Sequence, residues 1–171
     1  MTLATLPTEP IRVEHRELLP RIEELAHTAA WMADAPTPVV REKVAHAVEF
    51  LQHHLIPHAL AEEVTLYEAV EGAMGAPGAS ETMRRDHVEV ARLTDELAEL
   101  RDTLTDPPLE AQRDRLTALL YGLHAVVSLH FAEEEEIYLP ILDAALTPQD
   151  AERLFERMEQ EAARHRPVHA V

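Results

Sequence analysis

The chain has 171 residues, 46% of them apolar, which suits one domain with a sizeable core and is too hydrophobic for a disordered polypeptide. Its formal net charge of −17 repels phosphate backbones and argues against nucleic-acid binding; the acidity otherwise reads as a solvated surface. The absence of cysteine excludes disulfides, thiolate metal sites and thiol nucleophiles.

Glycine is scarce, while Leu, Ala, Glu and Arg are abundant, so the composition favours helix over sheet. No stretch reads as long and apolar enough to span a membrane, and the first ten residues lack a basic region followed by an apolar run. A cytoplasmic protein without membrane contact is the default expectation.

Five helices follow from period and punctuation. The first is expected from about Glu9 to Ala33, where Ile11, His15, Leu18, Ile22, Leu25 and Ala29 step by four and three. The second starts at Thr37-Pro38, an N-cap and first-turn proline, and runs to about Ala73 with Pro57 bending it. Gly72, Gly75, Pro77 and Gly78 then turn the chain. A third helix starts near Ser80 and carries Met83, His87, Val90, Thr94 and Leu97. After Thr105-Asp-Pro-Pro108, with Asp106 expected as N-cap, the fourth carries Leu116, Leu119, Leu123, Val126, His130, Glu134, Ile137 and Ile141. The fifth opens at Thr147-Pro148 and the tail from Arg164 reads as frayed. Short connections make sequential helices antiparallel. The expected architecture is all-α: a single domain over residues 1–171, with an up-down-up-down four-helix bundle over about 9–143. An additional C-terminal helix, about 147–164, would pack across one side or end.

One shift of 72 residues superimposes His15 on His87, His58 on His130 and Glu62 on Glu134. All six occupy positions that an apolar stripe would otherwise fill. In a helix, i and i+4 share a face about 6 Å apart along the axis, so each His-x-x-x-Glu pair reaches one compact site. Four imidazoles and two carboxylates buried without partners would be very costly, and metal cations remove that cost. These donors suit iron, manganese or zinc, and six ligands are too many for one zinc. Two metals bridged by Glu62 and Glu134, with a bridging oxo or hydroxo, leave an open position on each.

The segments Glu14-His-Arg-Glu-Leu-Leu19, His58-Ala-Leu-Ala-Glu-Glu63 and His130-Phe-Ala-Glu-Glu-Glu135 resemble the hemerythrin-like, His-His-Glu cation-binding domain over roughly residues 9 to 143. The resemblance implies a four-helix bundle around a non-haem di-iron centre with an oxo or hydroxo bridge. It implies His15 and His58 on one iron, His87 and His130 on the other, and Glu62 and Glu134 as bridges. Oxygen-carrying hemerythrins have a further histidine one turn after the third-helix histidine, where this chain has Ala91, and an aspartate five residues after the fourth-helix histidine, where this chain has Glu134 at four. That departure disfavours reversible oxygen carriage. It favours peroxide or nitric-oxide chemistry, iron sensing or iron holding.

Several neighbours are weighed against the site. His54 is either a fifth histidine ligand or a pocket-lining residue; its 72-residue counterpart is Val126, which does not support ligation. Tyr138 falls about 80° from His130 on a helical wheel and reads as a core tyrosine with its hydroxyl at the bundle end, the alternative being a donor toward the open position. Tyr67 falls about 180° from His58 and is expected outside the site. Glu63 and Glu135 read as solvated or helix-paired. His27, His46, His53, His124, His165 and His169 read as surface or interface residues, and Trp31 as core or interface. The leading function is a di-iron protein that reacts with or senses O2, NO or peroxide. An iron-responsive regulatory module, an iron-holding protein without catalysis, and a metal-free structural bundle are the alternatives, and no enzyme activity is assigned.

Overall fold

Helix α1 (Glu9–Ala30) begins at a first-turn proline and ends three residues before its expected stop, the chain turning through 31–34. Helix α2 (Thr37–Phe50) passes through a π-helical turn, Leu51–Leu55, into α3 (Ile56–Glu63). A break at Val64 and Thr65 separates α3 from α4 (Leu66–Met74), so the expected second helix is two segments with different axes. Helix α5 spans Glu81–Asp102 and α6 spans Glu110–Glu133. A second π-helical turn, Glu134–Tyr138, leads into α7 (Leu139–Ala145), and α8 spans Pro148–His165. The computed structural model describes residues 6–167, is all-α, and has no strand among them. His169 and the end of the expected tail lie outside the described residues.

Two expected caps are displaced. Pro36 occupies the N-cap of α2, with Thr37 already inside the helix. Leu109, not Asp106, caps α6, and the Gln112 side-chain oxygen accepts its N–H at 3.0 Å. Thr147 caps α8, its hydroxyl oxygen accepting the Asp150 N–H at 3.2 Å. Gly75, at φ 62°, ends α4 in the left-handed conformation that side chains disfavour.

Polar contacts set the long helices antiparallel. Arg12 bonds Glu135 at one end of the α1/α6 pair, and Arg113 donates to the Met32 and Ala35 carbonyls at the other. Helix α5 runs antiparallel to α6, with Asp86 beside His130 and Glu96 paired to Arg115. Helix α8 packs against α3.

The core has two parts. One gathers Ile22, Leu25, Leu55, Val90, Leu97, Leu119 and Val127; the other gathers Ile11, Ala61, Tyr67, Met83, Tyr138 and Met158. On each long helix, the site residues identified from the sequence lie between these two clusters: His15 between Ile11 and Ile22, His58 between Leu55 and Ala61, His87 between Met83 and Val90, His130 between Val127 and Tyr138.

The π turn at 134–138 corrects the expected inward stripe. Closing a wider i→i+5 ring inserts an extra residue per turn, so the position that returns to the core is Tyr138, while Ile137 is 54% exposed. One helical run, Glu110–Ala145, is long and apolar enough by length and composition to cross a membrane, where the sequence reading expected none. The same run carries the buried His130 and Glu134 and packs on α1 and α5.

Replacing the fully packed Leu119 by Ala is expected to cost about 2–5 kcal/mol. Gly75→Ala, where only the backbone conformation is strained and no neighbour is touched, is expected to cost about 1 kcal/mol. Urea unfolding midpoints of the two variants check this order.

Candidate metal centre

The six side chains identified by the 72-residue shift converge. His15, His58, Glu62, His87, His130 and Glu134 are all buried, none more than 7% exposed. His58 Nε2 lies 2.9 Å from Glu62 Oε1, and His15 Nε2 lies 3.6 Å from the same oxygen. The other Glu62 oxygen lies 3.4 Å from His87 Nε2. Glu134 mirrors it, with Oε2 3.3 Å from His15 Nε2 and Oε1 3.5 Å from His130 Nε2. Each carboxylate therefore faces imidazoles from both halves of the chain, Glu62 three of them and Glu134 two. Two compact donor groups result, His15–His58–Glu62 and Glu62–His87–His130, sharing Glu62.

Five of the inward atoms lack hydrogen-bond partners. Nε2 of His15 and His58, both Glu62 oxygens and Oε2 of Glu134 are buried and unsatisfied. Buried polar groups are otherwise almost always paired, and two carboxylates in one dry cavity repel. Imidazole nitrogens and carboxylate oxygens without thiolates form the donor set of a transition-metal centre, and these residues fit one.

Each imidazole also has a carboxylate behind it, hydrogen-bonded to His15, His87 and His130 and at ion-pair distance from His58. Its Nδ1 meets a carboxylate: His15 with Glu135 at 3.1 Å, His58 with Glu14 at 3.1 Å, His87 with Glu63 at 3.1 Å and His130 with Asp86 at 3.4 Å. Such a partner fixes the tautomer and turns Nε2 inward. Glu63 and Glu135, read from the sequence as solvated or helix-paired, instead meet His87 and His15. The signal was present: the same shift of 72 carries Glu14 onto Asp86 and Glu63 onto Glu135. What spacing along one helix does not show is that Glu63 and Glu135 each reach across to a histidine of the other half. Arg12 holds Glu135 at 2.7 Å and Asp143 at 3.0 Å, anchoring that carboxylate at the start of α1.

The two tyrosine expectations resolve differently. Tyr138 donates its hydroxyl to the Ala79 carbonyl at 3.1 Å, away from the six groups, as a core tyrosine. Tyr67 is a correction. Its hydroxyl donates to Glu134 Oε1 at 2.9 Å and lies 3.2 and 3.1 Å from Nε2 of His87 and His130. The helical wheel placed it on the far side because it assumed one helix from His58 onward. The break at Val64 and Thr65 starts a new segment and swings Tyr67 inward. His54 moves the opposite way: the π turn at 51–55 puts Leu55 in the core and leaves His54 exposed beside Phe50. The described surface histidines keep to the periphery: His27, His46 and His165 are exposed, and His53 and His124 half-buried. Trp31 sits half-exposed in the turn after α1.

Phe131 lies flat on the His15 ring, centroids 4.2 Å apart. With Leu55, Val90 and Val127 it lines an apolar void of about 10 Å3 against His58, His87 and His130. That space is about one water-sized probe.

The electrostatics follow from these contacts. Burial opposes charge on His15, yet Glu134 and Glu62 outweigh it and push the imidazole up to about 9. Burial likewise opposes charge on His58, and Glu62 and Glu14 raise it well above the usual range. Glu62 is held low against its burial, chiefly by His58. Burial and the charges of Glu62 and Glu134 push the Tyr67 hydroxyl far up, so it stays protonated and a donor.

The family model for the hemerythrin HHE cation-binding domain matches residues 6–142. The chain belongs to that family. Comparison with characterised proteins and with solved structures gave no match. Helix α8 lies beyond the matched residues.

Glu63→Gln and Glu135→Gln are each expected to weaken metal binding by about 10–100-fold, while Glu136→Gln, on the solvent side, leaves it unchanged; competition with a chromogenic chelator measures all three. Metal binding at pH 7 is expected to release protons, because His15, held at about 9, is then charged and must lose its proton to coordinate. His15's contribution to that release falls away as the pH rises above about 9, which calorimetry in two buffers of different ionisation heat reads directly.

Proposed function

We propose that this hemerythrin-type domain holds two iron ions with a bridging oxo or hydroxo, and that it reacts with or senses a small ligand, O2, NO or peroxide. In this reading His15 and His58 hold one iron, His87 and His130 the other, and Glu62 and Glu134 bridge. The antiparallel long helices form an up-down-up-down bundle around the pair, with α8 packed outside it. The observation that carries the reading is the set of unpaired, inward-facing imidazole nitrogens and carboxylate oxygens in a dry interior. When bound, such a pair supplies open positions and a change of oxidation state.

The chain's own groups define what can happen there. Carboxylates beside the four Nδ1 atoms orient the rings with Nε2 toward the metals. The space of about 10 Å3 beside His58, His87 and His130 suits a ligand of only a few atoms. Where oxygen-carrying members of the family have an extra histidine, this chain has Ala91, and the Tyr67 hydroxyl lies 3.2 and 3.1 Å from Nε2 of His87 and His130. A protonated phenol there donates a hydrogen bond to Glu134 and is positioned to deliver a proton to a small oxygen ligand beside it. That role favours peroxide chemistry over reversible carriage.

Metal analysis of protein expressed with iron should give about two irons per chain, with a ferric oxo-bridge absorption band. Stoichiometry near zero rejects the reading. Tyr67→Phe is expected to keep the iron and slow peroxide consumption by about 10²–10⁴-fold, the usual scale of a lost acid–base group. An iron-loaded wild-type chain that consumes no more than one peroxide per site points instead to sensing or iron holding.

A further inference from the structure

A helix that is apolar all round is normally buried all round. Helix α6 is not. Its inner face packs Leu119, Leu123 and Val127 into the core. Its outer face is apolar too: Ala118, Tyr121, Ala125, Leu129 and Ala132 are all exposed, Tyr121 by 44% and Leu129 by 60%. They step by three, four, four and three, a single stripe about 21 Å long at 1.5 Å per residue. No charge interrupts it, on a chain whose net charge is −17.

The stripe reads the same from either end: small, large, small, large, small. A two-fold axis through Ala125 sets an antiparallel copy so that Tyr121 meets Leu129, Ala118 meets Ala132 and Ala125 meets itself. Self-complementarity of this kind is what a symmetric contact between identical chains requires. The alanine on the axis lets two helices approach to about 8 Å. The three-and-four spacing of the stripe suits a shallow crossing of about +20°, and the next positions, Asp114 and Glu136, are acidic and fall where the helices begin to diverge. Leu19, 41% exposed, lies on α1 between the Arg12–Glu135 and Glu23–His124 pairs and widens the patch beside α6. The exposed apolar area is roughly 500 Å2, the upper end for one patch on a monomer, and two copies would bury roughly 1,000 Å2, where specific interfaces begin. We propose that the outer face of α6 is the contact surface between two copies of this chain.

Light scattering of the full metal-loaded chain should give twice its 19.2 kDa mass. Ala125→Glu sets two carboxylates together on the axis and should halve the mass with helicity and metal content unchanged. Tyr121→Glu and Leu129→Lys should each weaken the pair, and the two together should restore it, because the new charges meet across the axis. Should a charged variant fail to fold, Ala125→Cys supplies the sole thiol of the chain and should oxidise to a covalent pair, whereas Ala111→Cys should not. A wild-type chain monomeric at ~100 μM overturns the proposal. So does a dimer that survives Ala125→Glu, or a monomer that floats with neutral phospholipid vesicles, which assigns the stripe to lipid.

Discussion

The interaction on which the rest of this structure depends is the grip of a carboxylate on the outer nitrogen of each buried imidazole. Without it, four histidines inside a bundle would turn freely and take whichever hydrogen bond was nearest. With it, each ring turns its Nε2 inward; those of His15 and His58 are unpaired, and those of His87 and His130 meet the Tyr67 hydroxyl. The inward carboxylates Glu62 and Glu134 then sit where their mutual repulsion is tolerable only beside positive charge. The two apolar clusters above and below keep water from screening any of it.

The six convergent groups were legible because a duplication writes them twice. A single His-x-x-x-Glu is weak; two of them, with two lone histidines at one common offset, point to one centre. The all-helical class was legible for a simpler reason, the persistent three-and-four stepping of apolar residues. What stayed hidden depended on departures from an ideal helix. Tyr67 entered the site through a break of two residues that no periodicity announces, and His54 left it through a π turn. Ile137 and Tyr138 exchanged roles through the second π turn. In each instance a helical wheel was extended across a point where the backbone changes its pitch.

The two halves are alike in their charged groups and unlike around them. The shift that maps histidine to histidine and acid to acid maps Tyr67 onto Leu139 and Phe131 onto Ala59. The phenol therefore stands beside the His87–His130 pair, and the phenyl ring lies against His15. A pseudo-symmetric donor set thus has a polar side and an apolar side. Under the proposed function, that asymmetry would orient a small ligand with its proton-accepting end toward Tyr67.

His15 is held by Glu135, and His87 by Glu63, so each half supplies the brace for a histidine of the other. Neither half of the chain contains a finished site. A half-length polypeptide could assemble the same constellation only by clasping its own twin, with both braces exchanged. The covalent link between the halves makes that partnership permanent, and it leaves each half free to acquire residues, such as Tyr67 and Phe131, that its counterpart lacks.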